Sequence, residues 1–416
     1  MSKLELLLEG SDPSTAADRT VAWPLGGGRN ETFIINSDPW FLTLGPVSDA
    51  AIALVRIAVG AYVTDRIFRR SSAVWTRDLD LTVHVPNRSS IVPVISLIET
   101  TLFWLSGDGW TINLVDESTP KPQAAVSPNT STVNLLSGGV DSLCGALLSP
   151  NDTAYVGHSD NPSVRHSQNA VESALSDLRG SLVYQKFQIG VPSAATRERS
   201  TRTRSFMFMA LGIAAANAAL AGHVLVPENG FTSLNPPLAA NRGGPHTTRS
   251  THPTTFAYMN AICDGAGLSV SIGNPYSDLT KGDLVRRAAD SVGDGIIEEV
   301  IPRTLSCSKG FGNFFRGGDA NKNCGACVAC MTRRGSILSA GLSDRTDYLV
   351  TRLAGDAREK LLYQRRSDIS VVEASRGWRP DPATLAAIGP FPNEFDSEAA
   401  LELLARGVEE LVRGLP

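Results

Sequence analysis

The sequence lacks a strong excess of charge of either sign. Its 416 residues include 38 Lys and Arg against 42 Asp and Glu, which gives a formal net charge of −4. A chain without a global positive field is not predicted to bind nucleic acid in bulk, although a local basic groove stays open. Hydrophobic residues make up 42% of the chain. This share argues against general disorder, and the length allows two or three domains.

The sequence also lacks a clear export signal and a clear membrane span. Its first residues contain a short apolar run that Glu5 interrupts, with no small-residue cleavage site, so we expect a cytoplasmic protein. Residues 205–227 contain no Asp, Glu, Lys or Arg, but Asn217 and His223 lie among them and Gly222 divides the stretch. This pattern predicts a buried helix followed by a buried strand, and no contact with a membrane.

The chain is predicted to have three parts, and it contains no internal repeat. Residues 1–125 combine strand-like stretches such as RDLDLTVHVP with helix-like ones, which predicts an α+β accessory domain. The segment 119–131 is rich in Pro, Ser and Thr without periodicity, which is typical of a linker. Residues 132–340 alternate short apolar strands with helical segments, which predicts an α/β domain with a parallel sheet and helices on both faces. Amphipathic stretches in residues 341–416 predict a helical extension.

The stretch NLLSGGVDSLCGALL joins a predicted strand to a predicted helix. Gly138 and Gly139 allow backbone N–H groups to approach an anion, and the hydroxyls of Ser137 and Ser142 can donate to it. Asp141 either caps the helix or holds a magnesium ion. The alternative is a tight turn in which the small residues only relieve crowding. The loop has neither the G-x-x-x-x-G-K-[ST] pattern of P-loop NTPases nor the G-x-G-x-x-G of dinucleotide folds.

A cluster of cysteines follows the predicted α/β elements. Four of the six cysteines lie close together in the sequence, namely Cys307, Cys324, Cys327 and Cys330. Four thiolates at this spacing can surround zinc tetrahedrally and leave no open position, so the site is predicted to be structural. An iron–sulfur cluster is the alternative, but the next position of the ferredoxin pattern is Arg334. Cys144 and Cys263 lie in apolar surroundings and are predicted to be core residues.

The glycine loop and the cysteine cluster together carry a family resemblance. SGGVDS resembles the SGGxDS signature of the PP-loop ATP pyrophosphatases. With the C…CGxCxxC cluster, residues 132–340 resemble the 7-cyano-7-deazaguanine synthase family, the QueC-like proteins. Three further segments match that family: RSFMFMALGIAAAN, which begins at Arg204; NPYSDLTKGDLV, which contains Lys281; and CMTRRG, which contains Arg333.

The resemblance implies an activity and a set of site residues. The ATP-binding loop would consist of Leu136, Ser137, Gly138, Gly139, Val140, Asp141 and Ser142. Lys281 and Arg204 would balance charge on the leaving pyrophosphate, and Asp141 would be catalytic. The family uses ATP and Mg²⁺, adenylates the carboxylate of 7-carboxy-7-deazaguanine, and lets ammonia displace AMP to give an amide and then a nitrile. Zn²⁺ would occupy the cysteine site.

The segment after the predicted strand HVLVP departs from the family pattern. Glu228 and Asn229 are predicted to bind polar edges of a base-like substrate. Arg242 and His252 would suit a carboxylate or phosphate on a second substrate, as would His246 and Arg249. The alternative is a long surface loop with scattered charges.

The additional N-terminal and C-terminal regions suggest a protein partner that contacts the N-terminal domain. Extended proteins of this build are similar to those of bacterial antiphage defence systems, which implies a protein amine as a possible acceptor in place of ammonia. Two other functions stay open. One is a PP-loop enzyme that thiolates tRNA, and the other is a non-catalytic subunit that binds ATP and zinc.

Overall fold

The structure is a computed structural model. It describes residues 1–24, 27–30, 33–36, 43–70, 75–117, 129–198, 201–238, 248–308, 319–353 and 359–416. Most of the predicted linker at 119–131 lies outside these residues.

The N-terminal region forms a four-stranded sheet with helices against it. Its elements are β1 (Ser2–Leu8), β2 (Arg19–Trp23), β3 (Gly28–Arg29), β4 (Ile34–Ile35), α1 (Asp49–Ile67), β5 (Asp78–Val85), α2 (Ile95–Ser106) and β6 (Gly109–Asp116), with short 3₁₀ turns at Arg88–Ser90 and Val92–Val94. The sheet has the order β2-β1-β5-β6, and every neighbouring pair is parallel. This differs from the α+β arrangement that we expected for this region, because α2 connects two parallel strands as in an α/β unit.

The central region contains the predicted parallel sheet. Its strands are β7 (Thr132–Leu135), β8 (Thr153–Ser159), β9 (Tyr184–Gly190), β10 (His223–Leu225) and β11 (Ser271–Gly273), in the order β11-β10-β7-β8-β9. Its helices are α3 (Val140–Leu148), α4 (Pro162–Arg179), α5 (Arg204–Ala219), α6 (Gly230–Leu234), α7 (Pro253–Gly265), α8 (Lys281–Val292), α9 (Asp294–Val300) and α10 (Val328–Ser339), and a 3₁₀ turn follows α9 at Ile301–Arg303. The α/β fold with a parallel sheet flanked by helices is therefore confirmed.

The N-terminal and central regions share one hydrophobic core. Strand β4 pairs antiparallel with β9, and β3 then pairs with β4, so that two N-terminal strands extend the central sheet. Helix α1 packs along α5, and both are buried almost all round. Asn217, the polar residue of the uncharged stretch, accepts a hydrogen bond from the backbone N–H of Ser48 at 2.9 Å. Among the described residues, no helix is both long enough and apolar enough to cross a membrane.

The C-terminal region is helical, as predicted. It contains α11 (Glu359–Ala374), α12 (Pro382–Ile388) and α13 (Ser397–Arg413). Helix α13 lies against α10 and against the start of α6 and of α8. Glycines permit this close contact, because a Cβ atom at Gly335 or Gly407 would overlap atoms of the neighbouring element. The division of the chain into three separate domains stays a prediction.

Candidate active site and metal centre

The glycine loop connects β7 to α3 at the carboxyl edge of the central sheet. Gly138 has a φ of +90°, which an L side chain rarely adopts. A Cβ atom there would lie 3.0 Å from Ser167 Oγ and 3.2 Å from Gln168 N. The carbonyl of Gly138 accepts hydrogen bonds from Ser167 Oγ at 2.7 Å and from Leu305 N at 3.0 Å. The loop therefore requires glycine both for its backbone conformation and for its contact with α4.

The hydroxyls of the loop hold its shape. Ser142 Oγ accepts from Gly138 N at 3.2 Å and donates to Gly139 O at 3.0 Å, and it lies 3.1 Å from Ser137 Oγ. Leu136 and Val140 are buried in the core. The side chain of Asp141 makes no capping hydrogen bond to α3, although the sequence left that role open.

Asp141 instead belongs to a cluster with two buried residues, Lys281 and Asn229, and the half-buried Glu228. Lys281 Nζ forms an ion pair and hydrogen bond with Asp141 Oδ2. Asn229 Nδ2 lies 3.4 Å from both carboxylate oxygens of Asp141 and 3.2 Å from Glu228 Oε1. Lys281 is the first residue of α8, behind the capping residue Thr280. Residues from three distant segments of the sequence thus come together beside the glycine loop.

The residues of this cluster shift one another's pKa values. Burial raises the pKa of Glu228 well above its ordinary value, and the charge of Asp141 and a hydrogen bond with it raise the pKa further. Burial by itself would lower the pKa of Lys281, but the charges of Asp141 and Glu228 raise it overall. The shifts therefore favour the cationic form of Lys281 and, relative to a free carboxyl group, the protonated form of Glu228.

Arg204 lies in a different part of the same sheet edge. Its Nε donates to His158 Nδ1 at 3.2 Å, and its Nη2 lies 3.4 Å from His158 O, at the end of β8. Burial and, to a smaller extent, the charge of Arg204 lower the pKa of His158 to about 3. The neutral imidazole donates from Nε2 to Ile189 O at 2.8 Å. Among the described residues, no contact joins Arg204 to Asp141 or Lys281. No motif in the sequence points to His158 as a site residue.

The remaining predicted substrate residues are not brought to this cluster. His252 is the N-cap of α7: its Nδ1 accepts from Thr254 N at 3.1 Å, and its ring lies between Trp104 and Phe391. Burial and, to a smaller extent, the charge of Arg249 lower its pKa to about 3. The guanidinium of Arg249 lies over the Trp104 ring, with its carbon 3.7 Å from the ring centre. Arg242, like His246, lies outside the described residues.

The four clustered cysteines form a site that could hold a metal ion. The sulfur atoms of Cys307, Cys324, Cys327 and Cys330 all lie within 4.8 Å of one another. Two of the pairs are 3.9 Å and 3.8 Å apart, close to the separation of about 3.8 Å that tetrahedral zinc–sulfur bonds require. Hydrogen bonds from the neighbouring thiols lower the pKa of Cys324, whereas hydrogen bonds within the same cluster raise the pKa values of Cys327 and Cys330.

Arg333 binds the segment that precedes Cys307. It is fully buried, and its Nη1 donates to Thr304 Oγ1 at 2.6 Å while its Nη2 donates to Ile301 O at 2.7 Å. These bonds fix the segment that leads into Cys307. The two other cysteines, Cys144 and Cys263, are buried, and burial raises both pKa values, that of Cys263 to about 12.

The chain is similar to a curated enzyme over part of its length. It is 34% identical over 111 residues to the 7-cyano-7-deazaguanine synthase of Porphyromonas gingivalis, a match that spans 26% of this chain and 44% of that enzyme. The matched region thus covers less than half of the relative. No model of a known protein family matches the chain. The similarity supports a relationship to such synthases, which fits an ATP-using enzyme.

Proposed function

We propose that this protein is an ATP-dependent ligase that adenylates a carboxylate on a 7-deazaguanine-type substrate and transfers the acyl group to an amine. The observation that carries the proposal is the buried Asp141–Lys281 pair beside the glycine loop, together with the partial similarity to a 7-cyano-7-deazaguanine synthase.

The reaction needs activation because a carboxylate is a poor electrophile. A substrate carboxylate oxygen attacks the α-phosphorus of ATP, the bond to the β-phosphate oxygen breaks, and pyrophosphate leaves. An amine then attacks the acyl carbon, loses a proton to solvent, and AMP departs with its oxygen. A preorganised cation such as Lys281 is most effective where negative charge grows, which here is on the leaving pyrophosphate.

The described residues divide this work in the proposal. The N–H groups of the loop and of the first turn of α3 bind phosphate, and Arg204 provides a second cation at the neighbouring strand end. Asp141 and Glu228 supply carboxylate oxygens of the type that Mg²⁺ prefers, and a bound magnesium ion would screen the phosphate charges. Asn229 and Glu228 stand at the end of β10, where they can also bind the polar edge of a base. His252 has no place in this part of the site.

The cysteine centre has a structural role in the proposal. Its four ligands leave no position for substrate, and zinc fits the ligand set and the sulfur separations. Thiolation of tRNA is disfavoured because burial raises the pKa of both cysteines outside the cluster. The acceptor could be ammonia or, if the protein acts in antiphage defence with a partner at its N-terminal region, a protein amine.

The test is turnover with product analysis. Purified protein is incubated with ATP, Mg²⁺, ammonia and 7-carboxy-7-deazaguanine, and AMP, pyrophosphate and the amide or nitrile are measured. Asp141→Asn should abolish AMP formation, whereas Asp177→Asn, at an exposed position on α4, should not. An Asp141→Asn protein that consumes ATP at the normal rate would refute the proposal. A wild-type protein that binds ATP but forms no AMP, with or without ammonia or protein acceptors, would favour the non-catalytic subunit.

A further inference from the structure

The two cations of the proposed site both lie at the start of a helix, next to residues that bind a buried or partly buried carboxylate. Lys281 is the first residue of α8, and Arg204 is the first residue of α5. At the start of each helix, a carboxylate from outside the central region accepts hydrogen bonds from the residues next to the cation. Glu410 of α13 does this for α8, and Asp65 of α1 does it for α5.

Glu410 holds both neighbours of Lys281. Its Oε1 accepts from Thr280 Oγ1 at 2.5 Å, and its Oε2 accepts from Gly282 N at 2.9 Å. A Cβ atom at residue 282 would overlap the Glu410 carboxylate, so a side chain there would displace it. Burial raises the pKa of Glu410, while the bonds from Thr280 and Gly282 oppose that rise.

The position of Glu410 is itself fixed by close backbone contacts. A Cβ atom at Gly335 of α10 would overlap Glu410 O, and one at Gly414 would overlap Met331 O. Helix α13 therefore lies on α10 without space to shift. The carboxylate of Glu410 thus reaches the start of α8 from a rigid support.

Asp65 acts in the same way at the start of α5. Its Oδ2 accepts from Arg202 N at 3.0 Å and from Thr203 N and Oγ1, each at 3.3 Å. Thr203 is the N-cap of α5 and makes no capping bond of its own. Tyr62, one turn earlier on α1, places its ring 5.9 Å from the ring of His158, which accepts from Arg204.

These contacts suit the requirements of a preorganised cation. The first N–H groups of a helix lack intrahelical partners, and Glu410 satisfies that of Gly282 in α8. Asp65 instead holds Arg202 and Thr203, which lead into α5. A carboxylate at the start of a helix also complements the helix dipole. A long cationic side chain contributes most to a transition state when its attachment point does not move. We propose that Glu410 and Asp65 are positioning residues for Lys281 and Arg204, an inference that rests on the proposed function.

Glu410 can be tested against its neighbour on the same helix. Glu410→Ala should lower kcat for pyrophosphate release about tenfold or more, while KM for ATP changes less than about threefold. The reason is that Lys281 stabilises the negative charge that develops on pyrophosphate in the transition state more than it stabilises bound ATP. Glu410→Gln should stay within about threefold of wild type, because an amide can accept from Gly282 N and donate to Thr280 Oγ1. The control is Glu409→Ala, an exposed residue paired only loosely with Arg379 at 3.6 Å.

A second variant guards against a protein that fails to fold. Gly282→Ala keeps the glutamate at position 410 but displaces its carboxylate, because the added Cβ atom would overlap it. This variant should therefore reproduce the kcat loss of Glu410→Ala. Equal kcat values in Glu410→Ala and Glu409→Ala would overturn the role of Glu410. So would a loss in Glu410→Gln as large as that in Glu410→Ala.

Asp65 has a control in its own ion-pair network. Asp65 and Asp108 both accept from Arg77, and both are fully buried, but among the described residues only Asp65 bonds to Thr203. Asn has a single acceptor oxygen, so Asp65→Asn cannot serve both Arg77 and Thr203. We expect Asp65→Asn to lower kcat about fivefold or more and Asp108→Asn less than twofold, at similar losses of stability. Equal kcat losses would overturn the role of Asp65.

Pyrophosphate affinity separates this inference from the proposed function. Glu410→Ala and Asp65→Asn should weaken pyrophosphate binding, measured by calorimetry, relative to Glu409→Ala and Asp108→Asn. If the wild type forms no AMP but the variants show this loss, the proposed reaction fails and the positioning role stands. If the wild type turns over and the variants match their controls in kcat and in pyrophosphate affinity, the positioning role fails alone.

Discussion

Lys281 and Asp141 form a buried ion pair although 140 positions separate them in the chain. The pair joins the first turn of α3 to the first turn of α8, so the glycine loop and Lys281 are anchored to each other. A buried charge that loses its partner is costly, and the pair therefore couples the geometry of the site to the stability of the fold.

Replacing Lys281 should remove most of the activity. Lys281→Met keeps the length of the side chain but leaves Asp141 beside Glu228 without a cation. We expect AMP formation to fall about a hundredfold or more, the range seen when one preorganised charge-stabilising donor is removed. Lys186→Met is the control, since that lysine pairs with Glu172 at a partly exposed position. Activity within a few-fold of wild type in Lys281→Met would contradict the role given to this residue.

The glycine loop should tolerate no side chain at residue 138. Gly138→Ala combines a positive φ with a Cβ atom that meets Ser167 and Gln168, so we expect a loss of about 1 kcal/mol or more in stability and a clear loss of ATP affinity. Gly180→Ala has a similar φ of +82° with nothing within 4 Å. It should show the backbone cost without the loss of ATP affinity, both measured by denaturant unfolding and equilibrium ATP binding. Equal ATP affinity in the two variants would show that the loop conformation is not required.

The cysteine centre should hold one zinc ion per chain. Elemental analysis should find zinc in a colourless protein, and a strong chelator should lower the Tm. Cys324→Ala should lose the metal, whereas Cys263→Ala, a buried cysteine outside the cluster, should keep it. A brown protein that contains iron and labile sulfide would contradict the zinc assignment and show that the site holds an iron–sulfur cluster.

His252 should make the protein less stable in acid. Its pKa is about 3 in the folded protein and 6.5 ordinarily, so between these values the unfolded chain binds a proton that the folded one does not. Stability is therefore present above pH 6.5 and is lost as the pH falls towards 3. His252→Asn, which can still cap α7, should reduce this slope by about 1.4 kcal/mol per pH unit.

Urea unfolding at several pH values measures the slope. His166→Asn, at an exposed position of α4, should leave it unchanged. An unchanged slope in His252→Asn would mean that the buried ring does not titrate as described.

The central fold was predictable because its signals are local. Short apolar strands such as TVNL and the glycine turn that follows identify the βα unit without knowledge of the rest of the chain. The two-residue strand Ile34–Ile35 has no such signal, because only its pairing with β9 makes it a strand. The parallel direction of the strands in the N-terminal sheet was not predicted, because it also depends on pairing between distant segments.

The site was predictable where the family resemblance covers it. Asp141, Lys281, Glu228 and Asn229 were selected from loop ends and matched segments, and the structure brings them together. His252 was selected as a charged loop residue, but its ring is buried among Trp104 and Phe391 because α7 begins there. Glu410 and Asp65 were not predicted, since the sequence alone does not show which distant helix start a carboxylate on α13 or α1 will contact.

The pairing of β4 with β9 has a consequence for any shortened form of the protein. A chain that began at residue 129 would leave β9 with a row of unpaired backbone groups, and α5 without the apolar cover that α1 gives it. Open strand edges and bare apolar helices are what drive copies of a protein to aggregate. We therefore expect the N-terminal region to shield the central sheet from self-association, so that a form without this region would aggregate.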